Sequence, residues 1–306
     1  MKDAALALQR YINDISDKPK FRSRKNSKIS FYVNYERLKH TVNSFRGEKL
    51  GFVKTATALP KIPKGKKYVN PRISFDGKHL YLSVSYEVEP TKVELTGESL
   101  GIDLGVKELA VVSNHDASRT KVYKNINKSY KVRRLEKKLE RASRKLEANT
   151  KSYAKNCRPI LKRPLRECRN IQKQHKAIKL LYKKLTDIRN NYLHQTTTEI
   201  VKIKLSQIVM EDLNVKGMIK NKHLAESIAK QKLYEFKRQI QYKAEMYGIK
   251  FVEVDRFYAS SKTCSLCGHI KKDLKLSERT YICPICGAKL DRDLNAAINL
   301  ANYKKA

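Results

Sequence analysis

At 306 residues, with 41% apolar and 32% charged side chains, the chain can form one large domain or two to three small ones around a real core. Its 67 Lys and Arg against 30 acids leave a formal charge of +37, a self-repulsion best explained by a polyanionic partner, nucleic acid above all. No stretch approaches the roughly 18–20 apolar residues of a transmembrane helix and no leader pattern opens the chain. A cytosolic protein with no membrane partner is expected, its six cysteines not forming a disulfide framework.

Residues 1–27 begin helix-like in MKDAALALQRYIND and then turn into the basic stretch DKPKFRSRKNSK. From Lys28 the texture becomes strand-like. KISFYVNY alternates, and RISFDGKHLYLSVSYEVEP reads as a hairpin turning at Asp76-Gly77. A small β-rich domain is therefore expected over 28–95, closed by Pro90 and a polar link.

SLGIDLGVKELAVVSN, residues 99–114, opens a new unit: an apolar strand with an acid at its centre, a turn, and a second strand. Residues 128–189 hold 22 Lys and Arg against 5 acids. Leucines 135, 139 and 146 mark one helical stripe there, and Ile178, Leu181, Leu185 and Ile188 another, with Pro159 and Pro164 between them as expected helix breakers. The pattern predicts a basic antiparallel helical hairpin inserted between strands, either a spacer or an arm facing nucleic acid. KLSQIVMEDLN (204–214) is a strand ending in acids. HLAESIAKQKLYEFKRQIQYKAEMYG (223–248) is one amphipathic helix with Leu224, Ile228, Leu233, Phe236, Ile240 and Tyr247 on its packing face. Gly248 is its cap, and IKFVEVD is the next strand.

Cys264-Ser-Leu-Cys267-Gly and Cys283-Pro-Ile-Cys286-Gly stand 15 residues apart. Two residues between cysteines let both sulfurs of a turn reach one tetrahedral ion, and the following glycine accepts the backbone angles that the turn needs. Four thiolates make a closed zinc site with no open position for chemistry, so the zinc is read as structural. Cys157 and Cys168 lack a paired spacing and read as ordinary thiols.

Three acids stand in distinctive settings: Asp103 in GIDLGV, Glu211 in QIVMEDLN and Asp293 in LDRDLNAAIN. A charge inside a strand that otherwise buries its side chains is costly unless compensated. A divalent cation shared among several such acids would compensate it, as in two-metal phosphodiester hydrolysis. The order of elements (strand, strand pair, insert, strand, helix, strand, metal ribbon, helix) suits an RNase H-like α/β fold. Alternation lets only one of Glu211 and Asp212 face such a centre. By itself, either Asp291 or Asp293 would read as a cap or dipole partner at a helix start.

Together, GIDLGVKELAVVS, VMEDLNVKGM, SSKTCSLCG, YICPICG and LDRDLNAAINLA resemble the TnpB (OrfB) family of insertion-sequence proteins, itself similar to the type V CRISPR effector nucleases. The resemblance runs from about residue 20 to the end and is strongest from 99 onward. It implies a RuvC-type nuclease domain split by a helical insertion and a zinc ribbon, preceded by a small β-barrel-like, oligonucleotide-binding domain. The expected divisions are 1–27, a helical and basic segment shorter than the family's usual front end; 28–95, the β-rich domain; and 96–127, 196–259 and 291–306, the three RuvC-like parts. The insertion at 128–195 and the zinc ribbon at 260–290 separate them. The resemblance also implies a guide RNA from the element's end and Mg²⁺-dependent cleavage of guide-matched double-stranded DNA beside a short flanking motif. Carried over by motif, the catalytic, magnesium-holding acids are Asp103, Glu211 and Asp293, with Asp291 left as the helix cap and Arg292 facing a phosphate. Arg189, His194 and Ser261 are read as structural or phosphate-contacting. The rival reading is an impaired relative that only binds RNA or DNA. A strand-joining transposase is disfavoured, because none of the 17 tyrosines sits in a His-hydrophobe-His setting.

Overall fold

The computed structural model describes residues 2–20, 29–33, 38–47, 50–89, 93–161, 163–275 and 278–303. Most of the basic stretch expected before the first strand, and Pro90, lie outside the described residues. The chain divides into two compact units, 1–88 and 89–306. Among the described residues no helix is long and apolar enough to cross a membrane.

The first unit opens with helix α1 (Lys2–Ile12). Strands β1 (Ile29–Tyr32), β4 (Val69–Phe75) and β5 (Leu80–Ser85) form an antiparallel sheet in the order β1-β4-β5, while β2 (Ser44–Gly47) and β3 (Gly51–Lys54) pair separately. The β4–β5 hairpin turns at Asp76-Gly77: Asp76 Oδ1 accepts the amides of Lys78 and His79, and Gly77 takes φ 98°. Both sheets contribute to one core built on Val33, Leu38, Phe45, Tyr68 and Ile73. Among the described residues the strands stay in two sheets and do not close into a barrel.

The second unit is built on a five-stranded mixed sheet. Strands β6 (Thr96–Leu104), β7 (Glu108–Asn114) and β8 (Lys121–Lys124) follow as an antiparallel meander, and β9 (Leu205–Glu211) and β10 (Lys250–Val254) add parallel to the other side of β6. The order is β10-β9-β6-β7-β8. Between β8 and β9 runs the hairpin of α2 (Tyr130–Ser152), the one-turn α3 (Arg158–Leu161) and α4 (Arg169–Val201). Between β9 and β10 run α5 (Val215–Ile219), α6 (Ala225–Gln231) and α7 (Leu233–Met246). A small hairpin of β11 (Thr280–Ile282) and β12 (Lys289–Asp291) leads into α8 (Arg292–Ala301).

Period-two alternation sends Leu100, Ile102, Ile208 and Met210 into one core with Leu193, Ile200, Phe236 and Ile240 of α4 and α7. The opposite face takes α8, through Val209 and Leu300. Gly101 lies on that second face. A methyl group there would collide with the Ala297 carbonyl oxygen and the Ala301 amide nitrogen and sit 2.8 Å from Leu300 Cβ. Only a residue without a side chain allows so close an approach.

Two further sequence expectations change. The helix read over 223–248 is two helices, broken at Lys232, which adopts a left-handed conformation with φ 55°. The break lets Gln231 turn inward, where Nε2 donates to the carbonyls of Gly105, Val106 and Glu108 at 3.3–3.4 Å. Pro159 does not end the helical run after α2: a π-turn at Tyr153–Cys157 widens the ladder just where the proline ring would otherwise strike a carbonyl. The chain leaves the helix only before Pro164, which is extended. Helix α4 runs on past residue 195 to Val201, and Thr196, Thr197, Ile200 and Val201 of this last stretch are buried.

Gly101→Ala should lower stability by about 1–3 kcal/mol or more, the usual cost of overpacking, or roughly 2–4 °C of Tm per kcal/mol. Gly97→Ala in the same strand, where a methyl meets open space, should leave thermal unfolding almost unchanged. Equal midpoints for the two variants would remove the close helix approach as a constraint.

Candidate active site

Strand register places the first two candidate acids side by side. Ile102 pairs with Met210 across the parallel β6–β9 ladder, so the next residues, Asp103 one short of the end of β6 and Glu211 the last of β9, stand at one level. Both follow the alternation onto the face covered by α8. On that helix Asp293, Ala297 and Ala301 recur every four residues, on one stripe. Ala297 and Ala301 straddle Gly101. One turn back from Ala297 is about 6 Å, and two residues on from Gly101 is about 6.6 Å, which brings Asp293 over Asp103.

The electrostatics agree with that placement. The carboxyl of Asp103 is pushed well above the usual range by burial first, then by the charges of Glu211 and Asp293. Burial also raises Glu211, against the opposing pull of the Ser260 hydroxyl and Arg292. Burial and the charge of Asp291 raise Asp293, opposed by Arg279 and Arg292. Three carboxylates that each resist ionisation form a site that calls for protons or a cation. They are not packed as tightly as thiolates in one ion's grip: among the described residues only the four paired cysteines bring every ligand atom within 4.8 Å of the others.

The neighbouring acids are otherwise engaged. Asp212 turns away from Glu211 into a network with Glu253, Arg256 and Lys237 that holds its carboxyl down to about 2. Asp291 caps α8, accepting the amides of Asp293 and Leu294 at 3.0 and 3.1 Å. Arg292 donates to the Lys275 carbonyl at 3.2 Å and reaches Ser261 Oγ at 3.5 Å. Arg189 joins Asn127 and Glu136, each at 2.7 Å, at the base of the helical hairpin. His194 meets Gln239, and burial followed by the charge of Lys243 lowers its pKa.

Cys264 Sγ lies 3.7 Å from Cys286 Sγ, and Cys267 Sγ 3.5 Å from Cys283 Sγ. These separations are far too long for disulfides. They are close to the ~3.8 Å edge of a tetrahedron with 2.3 Å metal–sulfur bonds. The two turns repeat one pattern. Gly268 and Gly287 take φ 75° and 72°, and their amides close onto the Cys264 and Cys283 carbonyls at 2.9 and 3.1 Å. The amides of Cys286 and Ile285 lower the pKa of the Cys283 thiol, while burial and the neighbouring sulfurs raise those of Cys267 and Cys286, as expected of thiols crowded together.

Sequence reasoning missed the residues that join this cluster to the acids. Asn295 and Asn299, one turn apart on α8, are buried. Asn295 Nδ2 donates to the Thr263 carbonyl at 2.7 Å while its Oδ1 accepts the Ser265 amide at 3.0 Å. Asn299 Nδ2 donates to the carbonyls of Ser260 and Thr263 at 2.7 and 2.6 Å. The signal was present: two amide side chains spaced i, i+4 on an otherwise apolar helix must find partners when buried.

On α2 and the facing part of α4, a groove of about 950 Å³ is lined by Lys131, Arg133, Arg134, Lys137, Lys138, Arg141 and Lys184, beside Tyr130 and Leu135. No acid lines it, so its field is uniformly positive.

Residues 83–222 match a family model described as "Probable transposase", and residues 234–300 match one described as "Cas12f1-like, TNB domain". A Streptomyces pristinaespiralis protein named "Putative RNA-guided DNA endonuclease" is 30% identical over 92% of this chain and 64% of its own length. "Putative RNA-guided DNA endonuclease InsQ" of Escherichia coli K12 is 28% identical over 98% of this chain and 72% of its own. The chain thus spans about two thirds of the length of these relatives. A solved Cas12f1–sgRNA–target DNA complex contains a chain that shares the fold with a TM-score of 0.56 at 18% identity, over 98% of this chain and 69% of that one. From residue 83 to residue 300, through the strand-borne acids, the paired cysteines and the final helix, the chain belongs to the TnpB (OrfB) family of insertion-sequence proteins.

Proposed function

We propose that the chain is a transposon-encoded, RNA-guided DNA endonuclease that hydrolyses phosphodiester bonds of guide-matched DNA at a RuvC-type centre. The observation that carries this reading is the meeting of Asp103, Glu211 and Asp293, from two adjacent strand ends and a helix start, in a site that resists their ionisation. The sheet order β10-β9-β6-β7-β8, with an antiparallel meander and two parallel additions, supports an RNase H-like nuclease domain. The helical hairpin is then its insertion, the β11–β12 hairpin with the cysteines its zinc ribbon, and residues 28–95 a separate oligonucleotide-binding domain. The names of the relatives support an RNA guide and a DNA target.

The donor chemistry separates two metals. Asp103, Glu211 and Asp293 offer only oxygen, as hard Mg²⁺ requires, whereas Cys264, Cys267, Cys283 and Cys286 offer four sulfurs in tetrahedral spacing, as Zn²⁺ requires. Bound magnesium would activate water and stabilise the leaving oxygen. The protein's own share is placement. Strands β6 and β9 fix two carboxylates in register, α8 supplies the third, and the nearby charge of Arg292 offsets part of their repulsion. The cations of the hairpin groove hold the phosphates of guide or target without reading their sequence.

Asp103→Ala should abolish cleavage while binding of guide RNA persists; full cutting by that variant would end the proposal. The same site predicts a stability effect of opposite sign. A carboxyl whose pKa is raised by folding binds more protons in the folded chain than in the unfolded one. Its contribution is therefore favourable at low pH and is lost as pH rises through the folded pKa. At neutral pH without magnesium, Asp103→Asn should raise Tm, and the gain should vanish at pH values low enough to protonate the site.

Replacing Lys137, Lys138 and Arg141 together by alanine should weaken binding of all duplexes alike and flatten the log K against log salt slope by about 0.9 for each phosphate left without its cation. An unchanged slope would place the nucleic acid elsewhere.

Stripping zinc from the cysteines with a strong chelator should loosen the segment that carries α8. Cleavage should fall even with magnesium restored, and the chain around residues 260–303 should become open to proteases. Full-rate cutting by folded, zinc-free protein would uncouple the two centres.

A further inference from the structure

Glu211 ends strand β9, and its Oε1 accepts the hydroxyl proton of Ser260. That serine is only 3% exposed. Its amide donates to the Tyr258 carbonyl at 2.8 Å, and its carbonyl accepts Asn299 Nδ2 at 2.7 Å. The backbone that carries the hydroxyl is therefore held on both sides, and one of those holds comes from α8, the helix that also carries Asp293. Asn299 donates as well to the carbonyl of Thr263, the residue before Cys264. One short strap, residues 260–265, thus touches Glu211 through a side chain and α8 through its backbone.

A glutamate at a strand end can rotate about several bonds, and a carboxylate has two oxygens that a cation can choose between. A donor fixed on one oxygen removes both freedoms. We propose that Ser260 is a positioning residue of the metal centre: its hydroxyl occupies Oε1 of Glu211 and leaves the other carboxylate oxygen to the cation that Glu211 shares with Asp103. This rests on the reading of Glu211 as a magnesium ligand. Partners of this kind, hydrogen-bonded to a ligand and not to the ion, commonly set metal affinity as strongly as they set orientation.

The test is a Mn²⁺ titration of the full-length, zinc-loaded chain without guide RNA, with free Mn²⁺ followed by electron paramagnetic resonance. Wild type is compared with Ser260→Ala, Ser260→Thr and Glu211→Gln, and Tm is measured for each. We expect Ser260→Ala to weaken Mn²⁺ binding by about 10–100-fold, with Tm close to that of wild type. Ser260→Thr, which keeps the hydroxyl, should bind within a few-fold of wild type. Affinity unchanged in Ser260→Ala would overturn the proposal, and so would Ser260→Thr binding as weakly as Ser260→Ala while still folded. If Glu211→Gln binds Mn²⁺ as wild type does, Glu211 holds no cation, and the metal-centre reading falls together with the role of Ser260.

Discussion

Helix α8 lies against strand β6 so closely that Gly101 has no room for a methyl group. That approach ties together two facts about the second unit. It brings the start of the helix, and with it Asp293, over the strand end that carries Asp103. It also half-buries the acids, and burial is the first cause of the raised pKa in each of the three. A wider gap between helix and sheet would leave the carboxylates more hydrated and their pKa values closer to the ordinary carboxylate range. The glycine therefore acts on the acids through distance alone.

The same helix is held from its other side by asparagines. Asn295 and Asn299 bond to the backbone of the strap that leads into the first cysteine turn, and Ser260 on that strap bonds Glu211. The strap between β10 and the first cysteine turn thus bridges two elements that each carry an acid, β9 with Glu211 and α8 with Asp293. Buried amide hydrogen bonds suit this task because they are directional and costly to leave unmade.

Much of this was legible in the residues. The Asp76-Gly77 turn, the paired cysteines and the acid inside an apolar strand each follow from a rule that needs no tertiary partner: turn geometry, ligand spacing, the cost of burying charge. What the sequence hid depends on partners far away in the chain. Lys232 breaks a helix that its apolar periodicity would continue, because Gln231 has three carbonyls of the β6–β7 turn to satisfy. Pro159 passes inside a helical run because a π-turn absorbs it. Gly101 looks like an indifferent strand glycine until α8 is placed above it, and Ser260 looks like loop polarity until Glu211 is.

Helix α4 runs unbroken for 33 residues, about 50 Å at 1.5 Å per residue, from the basic arm to the buried Val201. Its two ends have different neighbours but share one ladder of hydrogen bonds. The arm is consequently not a cassette with a seam. A trimmed protein that kept the sheet cover and discarded the arm would have to cut through the helix near Asn190, exposing up to four amides that have carbonyl partners now. Such a miniature would need a new capping residue at the cut, and in this fold a shorter chain is a problem of helix termini before it is a problem of nucleic-acid binding.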